Sequence, residues 1–246
     1  EDAKSLFYIE DMFIRPGDRV ALLGHNGVGK TTLIKQVIEL YETNKMGDAI
    51  KFNPQCDIGY YDQELERLNP TRTITETLQD NCPGSESDYK TALIKAGFPY
   101  LDLDKKVNVL SGGEKARLMF LVIKLNRPNF LILDEPTNHI DIQGKEDLET
   151  QILDSNATVL ITSHDRRFVD IIADRYLLID HGVLKEVNSP LSFYNESKQN
   201  TQQSTFDENK LNVTVQLTGE EDILSRIVEL ENLLTEDRSR KPKFQK

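Results

Sequence analysis

The 246-residue sequence predicts an α/β domain with a mixed sheet core, a small inserted α-helical subdomain and a C-terminal strand and helix extension. Three observations carry this reading. Short apolar runs at Arg19 to Leu23 (RVALL), Phe130 to Leu133 (FLIL) and Thr158 to Thr162 (TVLIT) have strand length, and polar residues follow them, as expected of parallel strands buried on both faces. Leu118, Leu121, Val122 and Leu125 recur at the i, i+3, i+4, i+7 spacing of a buried helical stripe. Between the RVALL strand and a helix carrying Leu33, Val37 and Leu40 lies Gly24-His25-Asn26-Gly27-Val28-Gly29-Lys30-Thr31. This stretch fits G-x-x-x-x-G-K-[ST], the phosphate-binding loop.

Taken in order, Leu6, Phe7, Ile9, Met12 and Ile14 alternate loosely before the turn Pro16-Gly17-Asp18, which reads as an edge hairpin with the RVALL strand. Ile50 with Phe52, and then Ile58 to Tyr61, read as short strands closing in Gln63. Residues 64–125 form the inserted subdomain, with helices expected near Thr75 to Gln79 and Asp88 to Ala96. Ser111 with Glu114 satisfies S-x-x-E and caps the helix after it. Tyr176 to Ile179 and Val183 to Val187, joined through His181-Gly182, read as a closing hairpin. Residues 1–195 thus form the main domain and the polar stretch 196–210 a linker. Residues 211–246 form the extension: a strand from Leu211 to Leu217, a helix striped by Ile223, Ile227, Leu230 and Leu234, and a basic tail.

Composition narrows the class. A formal net charge of -11 argues against a surface that grips nucleic acid throughout, so no direct DNA contact is expected. Cys56 and Cys82 form no C-x-x-C pair, which suggests reduced thiols and a cytoplasmic protein. No apolar run reaches the length of a membrane span.

Three polar stations follow predicted strands: Lys30 with Thr31, Asp134 with Glu135, and His164. The glycine loop points backbone N–H groups at a phosphate, Lys30 reaches the β and γ oxygens, and the Thr31 hydroxyl suits Mg²⁺. Asp134 is the natural Mg²⁺ carboxylate, Glu135 the general base, and His164 a partner for both Glu135 and the γ-phosphate. Gln63 is a candidate for holding Mg²⁺ or orienting water.

GHNGVGKTT (24–32), YYDQE (60–64), LSGGEKARL (110–118), FLILDEPTNHID (130–141) and ITSHD (161–165) together resemble the motif set of an ABC ATPase, a P-loop NTPase. EPTNHID resembles most closely the ABC-F family, tandem ATPases that act on the ribosome. The resemblance implies ATP and Mg²⁺ as ligands, with Gly24, Asn26, Gly27, Gly29, Lys30, Thr31 and Thr32 around the phosphates. Ser111, Gly112, Gly113 and Asp141 would then close over nucleotide held by a second ABC domain. The extension resembles the segment after the second domain of an ABC-F chain. The ABC aromatic that stacks on adenine would lie upstream of Glu1. A transporter ATPase subunit is the competing reading. A DNA clamp is disfavoured, because no coiled-coil insertion is present.

Overall fold

The computed structural model describes residues 8–9, 12–44, 50–138, 140–191 and 193–194. The expected linker, C-terminal strand, helix and basic tail, together with His139, fall outside these residues. In chain order the elements are β1 (Tyr8–Ile9), β2 (Arg19–Leu23), α1 (Lys30–Glu42), β3 (Ile58–Tyr61), α2 (Ile74–Asn81), α3 (Glu86–Lys95) and α4 (Gly112–Asn126). They continue as β4 (Phe130–Asp134), α5 (Ile142–Asp154), β5 (Thr158–Thr162), α6 (Arg166–Ile172), β6 (Arg175–Asp180) and β7 (Val183–Val187).

The strands form one seven-stranded sheet in the order β1-β7-β6-β2-β5-β4-β3. Pairing is parallel except between β6 and β7, so the sheet is mixed as its sequence implies. Alternate side chains divide the strands between two cores. Val20, Leu22, Tyr60, Ile132 and Leu160 pack with Leu33, Ile34 and Ile38 of α1 on one face. Ala21, Leu23, Tyr61, Leu133 and Ile161 pack on the other face, with residues of the inserted helices and of α4, α5 and α6. Burial on both sides explains why these strands are apolar without a break. The Tyr61 ring stacks on Phe120 with centroids 4.5 Å apart, which joins β3 to α4.

The segment before β2 departs from expectation. Tyr8 and Ile9 pair in parallel with Val183 and Leu184 of β7 at the sheet edge, not with β2 in a hairpin. Tyr8 N–H donates to the Gly182 carbonyl at 2.7 Å, and the β6–β7 hairpin thus supplies the edge this segment joins. That hairpin turns at His181 and Gly182, both with positive φ, as a two-residue turn requires. Residues 50–52 form no strand; the Phe52 ring instead meets Tyr41 of α1 edge-on at 5.5 Å.

The inserted helices have side-chain caps. Thr73 starts α2, Ser85 starts α3 and Ser111 starts α4, each in a reciprocal capping box. They bury Leu78, Leu93 and Leu118 completely. Leu118→Ala therefore opens a cavity where helical layer and sheet share one core. It should lower unfolding free energy by about 2–5 kcal/mol in a urea titration.

Candidate active site

β5 lies between β2 and β4, so the loops leaving the carboxyl ends of three neighbouring parallel strands converge on one edge. Lys30, Asp134 with Glu135, and His164 all stand at this edge.

The loop after β2 is shaped by glycine. Gly24, Gly27 and Gly29 have φ of 158°, 77° and 107°, and at Gly24 a Cβ would stand 2.8 Å from Val28 Cγ1 and 3.2 Å from the Ile179 carbonyl oxygen. Lys30 Nζ donates to the carbonyls of Gly24 at 2.7 Å and His25 at 3.3 Å. Burial pushes the Lys30 ammonium below its ordinary pKa, and the nearby Glu135 and Asp134 carboxylates oppose that shift. Thr31 is half-buried in the first turn of α1, while Asn26 and Thr32 are exposed. No side chain caps α1, and no acidic residue stands in its first turn.

Asp134 is 1% exposed. Its Oδ1 accepts a hydrogen bond from Thr162 Oγ1 at 2.5 Å, whereas Oδ2 is buried and has no hydrogen-bond partner among the described residues. Glu135 is buried beside it, with a left-handed backbone (φ 51°) that costs free energy in a non-glycine residue. That conformation is pinned, because Glu135 N–H donates to both the Thr162 carbonyl at 3.1 Å and Thr162 Oγ1 at 3.0 Å. Glu135 Oε2 accepts from His164 N–H at 3.1 Å, and Oε1 lies 3.4 Å from His164 Nε2. Burial pushes the Glu135 carboxyl above its ordinary pKa; His164 and Lys30 pull it back and Asp134 pushes it further up. The His164 ring is largely exposed.

Gln63 follows β3 by two residues, beside the carboxyl end of β4. The preceding Asp62 is buried, with its Oδ2 accepting Glu66 N–H at 2.6 Å. The second set of expected residues stands apart. Ser111 is turned inward on its cap: its N–H and hydroxyl both donate to Glu114 Oε2 at 2.7 Å. Asp141 caps α5 by accepting Gly144 N–H at 2.8 Å. Gly113, Arg117, Ile140 and Asp141 line a separate groove, and among the described residues no hydrogen bond links Ser111 or Asp141 to the loop at 24–31.

Thr162 and the Thr137–Ser163 pair, with oxygens 2.8 Å apart, are site residues that motif reading does not single out. A threonine ending an apolar strand carries no signal until the strand register is known. Here Asp134 and Thr162 are direct register partners.

This donor set fits a magnesium nucleotide. An orphaned buried carboxylate oxygen stands beside an ammonium, a glycine loop and an uncapped helix N-terminus. Among the described residues there is no cluster of three or more His, Cys, Asp or Glu suited to a metal.

Residues 10–138 match the family described as ABC transporter. The chain is 37% identical over 198 residues to ABC transporter F family member 5 of Arabidopsis thaliana, covering 78% of this chain and 28% of that protein. It is 35% identical over 237 residues to the ATP-binding protein Uup of Haemophilus influenzae, covering 92% of this chain and 34% of that protein. The chain thus spans about a third of the length of these relatives, or less. Its fold matches the ATP-binding cassette MJ0796, solved as a dimer with ADP and phosphate, with a TM-score of 0.57 at 20% identity over 72% of this chain and 88% of that one. Among the described residues no helix is long and apolar enough to cross a membrane.

The raised Glu135 pKa gives a pH signature. A carboxyl raised on folding penalises the folded state once it ionises, so the penalty is present above the folded pKa and vanishes below the unfolded one. Glu135→Gln should therefore raise the melting temperature at neutral pH. The gain should start to fade once pH falls to the raised folded pKa and be gone by about 4, just below the ordinary glutamate pKa.

Proposed function

The chain belongs to the ABC transporter family, and from that premise we propose that it binds and hydrolyses ATP as one half of a tandem ABC-F ATPase acting on the ribosome. The observation that carries the hydrolytic part is the juxtaposition of Lys30, buried Asp134 and buried Glu135 at the carboxyl ends of adjacent strands. Gly24, Gly27, Gly29 and Lys30 hold the phosphates, with Asn26 and Thr32 flanking them. The Asp134 Oδ2, the Thr31 hydroxyl and Gln63 would hold Mg²⁺, which supplies positive charge against the phosphoryl oxygens.

Glu135 takes the proton of the attacking water. The new bond joins that water oxygen to the γ-phosphorus, and the bond to the β-phosphate oxygen breaks, leaving ADP and phosphate. Glu135 suits this role because Oε1 has no hydrogen-bond partner among the described residues while Oε2 is anchored by His164 N–H. His164 Nε2 lies beside Glu135 Oε1, which supports a role for His164 in pairing with the base, and through it with the γ-phosphate.

Ser111, Gly112 and Gly113 open α4, and Gly113 and Asp141 line a groove separate from the phosphate-binding loop, which supports service of this set to nucleotide held by a second ABC domain. The dimer described for MJ0796 is the corresponding assembly in a protein of the same fold. The ribosomal part rests on the EPTNHID motif and the similarity to an F family member.

Glu135→Gln should keep ATP binding and lower turnover by about 100-fold or more. In ATP it should also accumulate a closed pair, seen by light scattering; undiminished turnover removes Glu135 as the base. The same variant of the full chain should co-sediment with ribosomes in ATP and separate in ADP. Absence of that nucleotide dependence would overturn the ribosomal reading while leaving the ATPase reading intact.

A further inference from the structure

Thr162 ends the strand that lies between the phosphate-binding loop's strand and the strand of the two carboxylates. It has no exposed surface, and its register partner across the ladder is Asp134. Both side chains therefore lie on the same face of the sheet, one strand apart. A hydroxyl has a single proton to give, and this one goes to Asp134 Oδ1 at 2.5 Å. Its oxygen also accepts from Glu135 N–H at 3.0 Å. One buried hydroxyl thus holds both carboxylate residues, on the strand that His164 follows by two positions.

We infer that Thr162 is a positioning residue that selects which Asp134 oxygen is offered to Mg²⁺ and fixes the strained backbone of Glu135. The inference rests on the ATPase reading above and deepens it. Oδ1 is occupied by Thr162 and Oδ2 has no hydrogen-bond partner among the described residues, so the cation would meet a preset oxygen. Without the hydroxyl proton, Oδ1 loses its donor and the carboxylate is no longer held in one rotamer. Without the hydroxyl oxygen, Glu135 N–H keeps only the Thr162 carbonyl at 3.1 Å, leaving its left-handed turn less constrained. The threonine methyl does neither job.

The test compares Thr162→Val, which keeps the branched shape and removes the hydroxyl, with Thr162→Ser, which does the reverse. In the full chain, equilibrium affinity for a non-hydrolysable ATP analogue is measured in Mg²⁺ and in EDTA, alongside turnover. The wild type should gain affinity from Mg²⁺. The valine chain should match it in EDTA yet bind about 10-fold or more weakly in Mg²⁺, with turnover falling as well. The serine chain should recover both. If the valine chain does not fold, Thr162→Cys, a weak donor of similar size, takes its place.

A valine or cysteine chain with the wild-type Mg²⁺ gain and wild-type turnover overturns the inference. A serine chain that fails as valine does overturns it too, because the methyl would then be what matters. A wild type with no Mg²⁺ gain overturns the metal role of Asp134 and that of Thr162 with it. Loss of the Thr162 role alone leaves that wild-type gain in place.

Discussion

Two adjacent carboxylates, Asp134 and Glu135, are buried at one strand end, and the hydrogen bonds of the site are arranged around them. The effective cost of desolvating one ion in a protein is several kcal/mol, and a hydrogen bond to a charged group returns about 1.5–3 kcal/mol. Single bonds from Thr162 to Asp134 and from His164 to Glu135 therefore compensate only part of the burial. The Lys30 ammonium supplies further attraction, but it is itself destabilised by burial. Among the described residues Asp134 Oδ2 and Glu135 Oε1 have no hydrogen-bond partner, and in the proposed reaction the first would meet a cation and the second a water proton. The protein leaves unmet the two valences that a magnesium nucleotide and its attacking water would fill.

The same constraint explains the sheet order. Only a central strand has neighbours on both sides, and β5 uses its position to bring β2 and β4 into one electrostatic unit. The parallel register sets Thr162 opposite Asp134, and the turn after β4 places the Glu135 N–H against the end of β5. A one-residue slip would turn Thr162 to the opposite face and break both bonds. Packing of the two cores that hold this register is thus part of the chemistry: Ile132 and Leu160 sit on the α1 face with Asp134 and Thr162, while Leu133 and Ile161 anchor the other face.

How much of this is legible in the sequence depends on whether the signal is local. The loop, the strands at 130–134 and 158–162 and helices α2 to α4 are local patterns, and their residues predict them directly. So does the grouping of Lys30, Asp134, Glu135 and His164, since strand ends in a parallel sheet share an edge. Partner choice is not local. Nothing in Tyr8–Ile9 specifies β7 over β2, because a loose alternation fits either edge. Helix α5 is obscure because its buried apolar residues are only Leu148 and Ile152, too sparse for a clear stripe. Thr162 is hidden for a related reason, since its importance comes from a residue 28 positions away.

The treatment of helix starts shows where the fold reserves binding energy. Helices α2 to α6 all begin at a side-chain cap, from Thr73, Ser85, Ser111, Asp141 and Asp165. Such a cap contributes about 0.5–2 kcal/mol over alanine. Helix α1 begins instead at Gly29, which has left-handed φ and no side chain to offer. Filling that position with a cap would place an oxygen where a phosphate oxygen accepts the same N–H groups, and would compete with it. Lys30 obeys the same logic, for its ammonium rests on neutral carbonyls of Gly24 and His25. Exchanging these for anionic phosphate oxygens trades ordinary hydrogen bonds for charge-assisted ones of roughly twice the strength. An anionic phosphate at these N–H groups and at the Lys30 ammonium is thus held more strongly than the neutral carbonyls are.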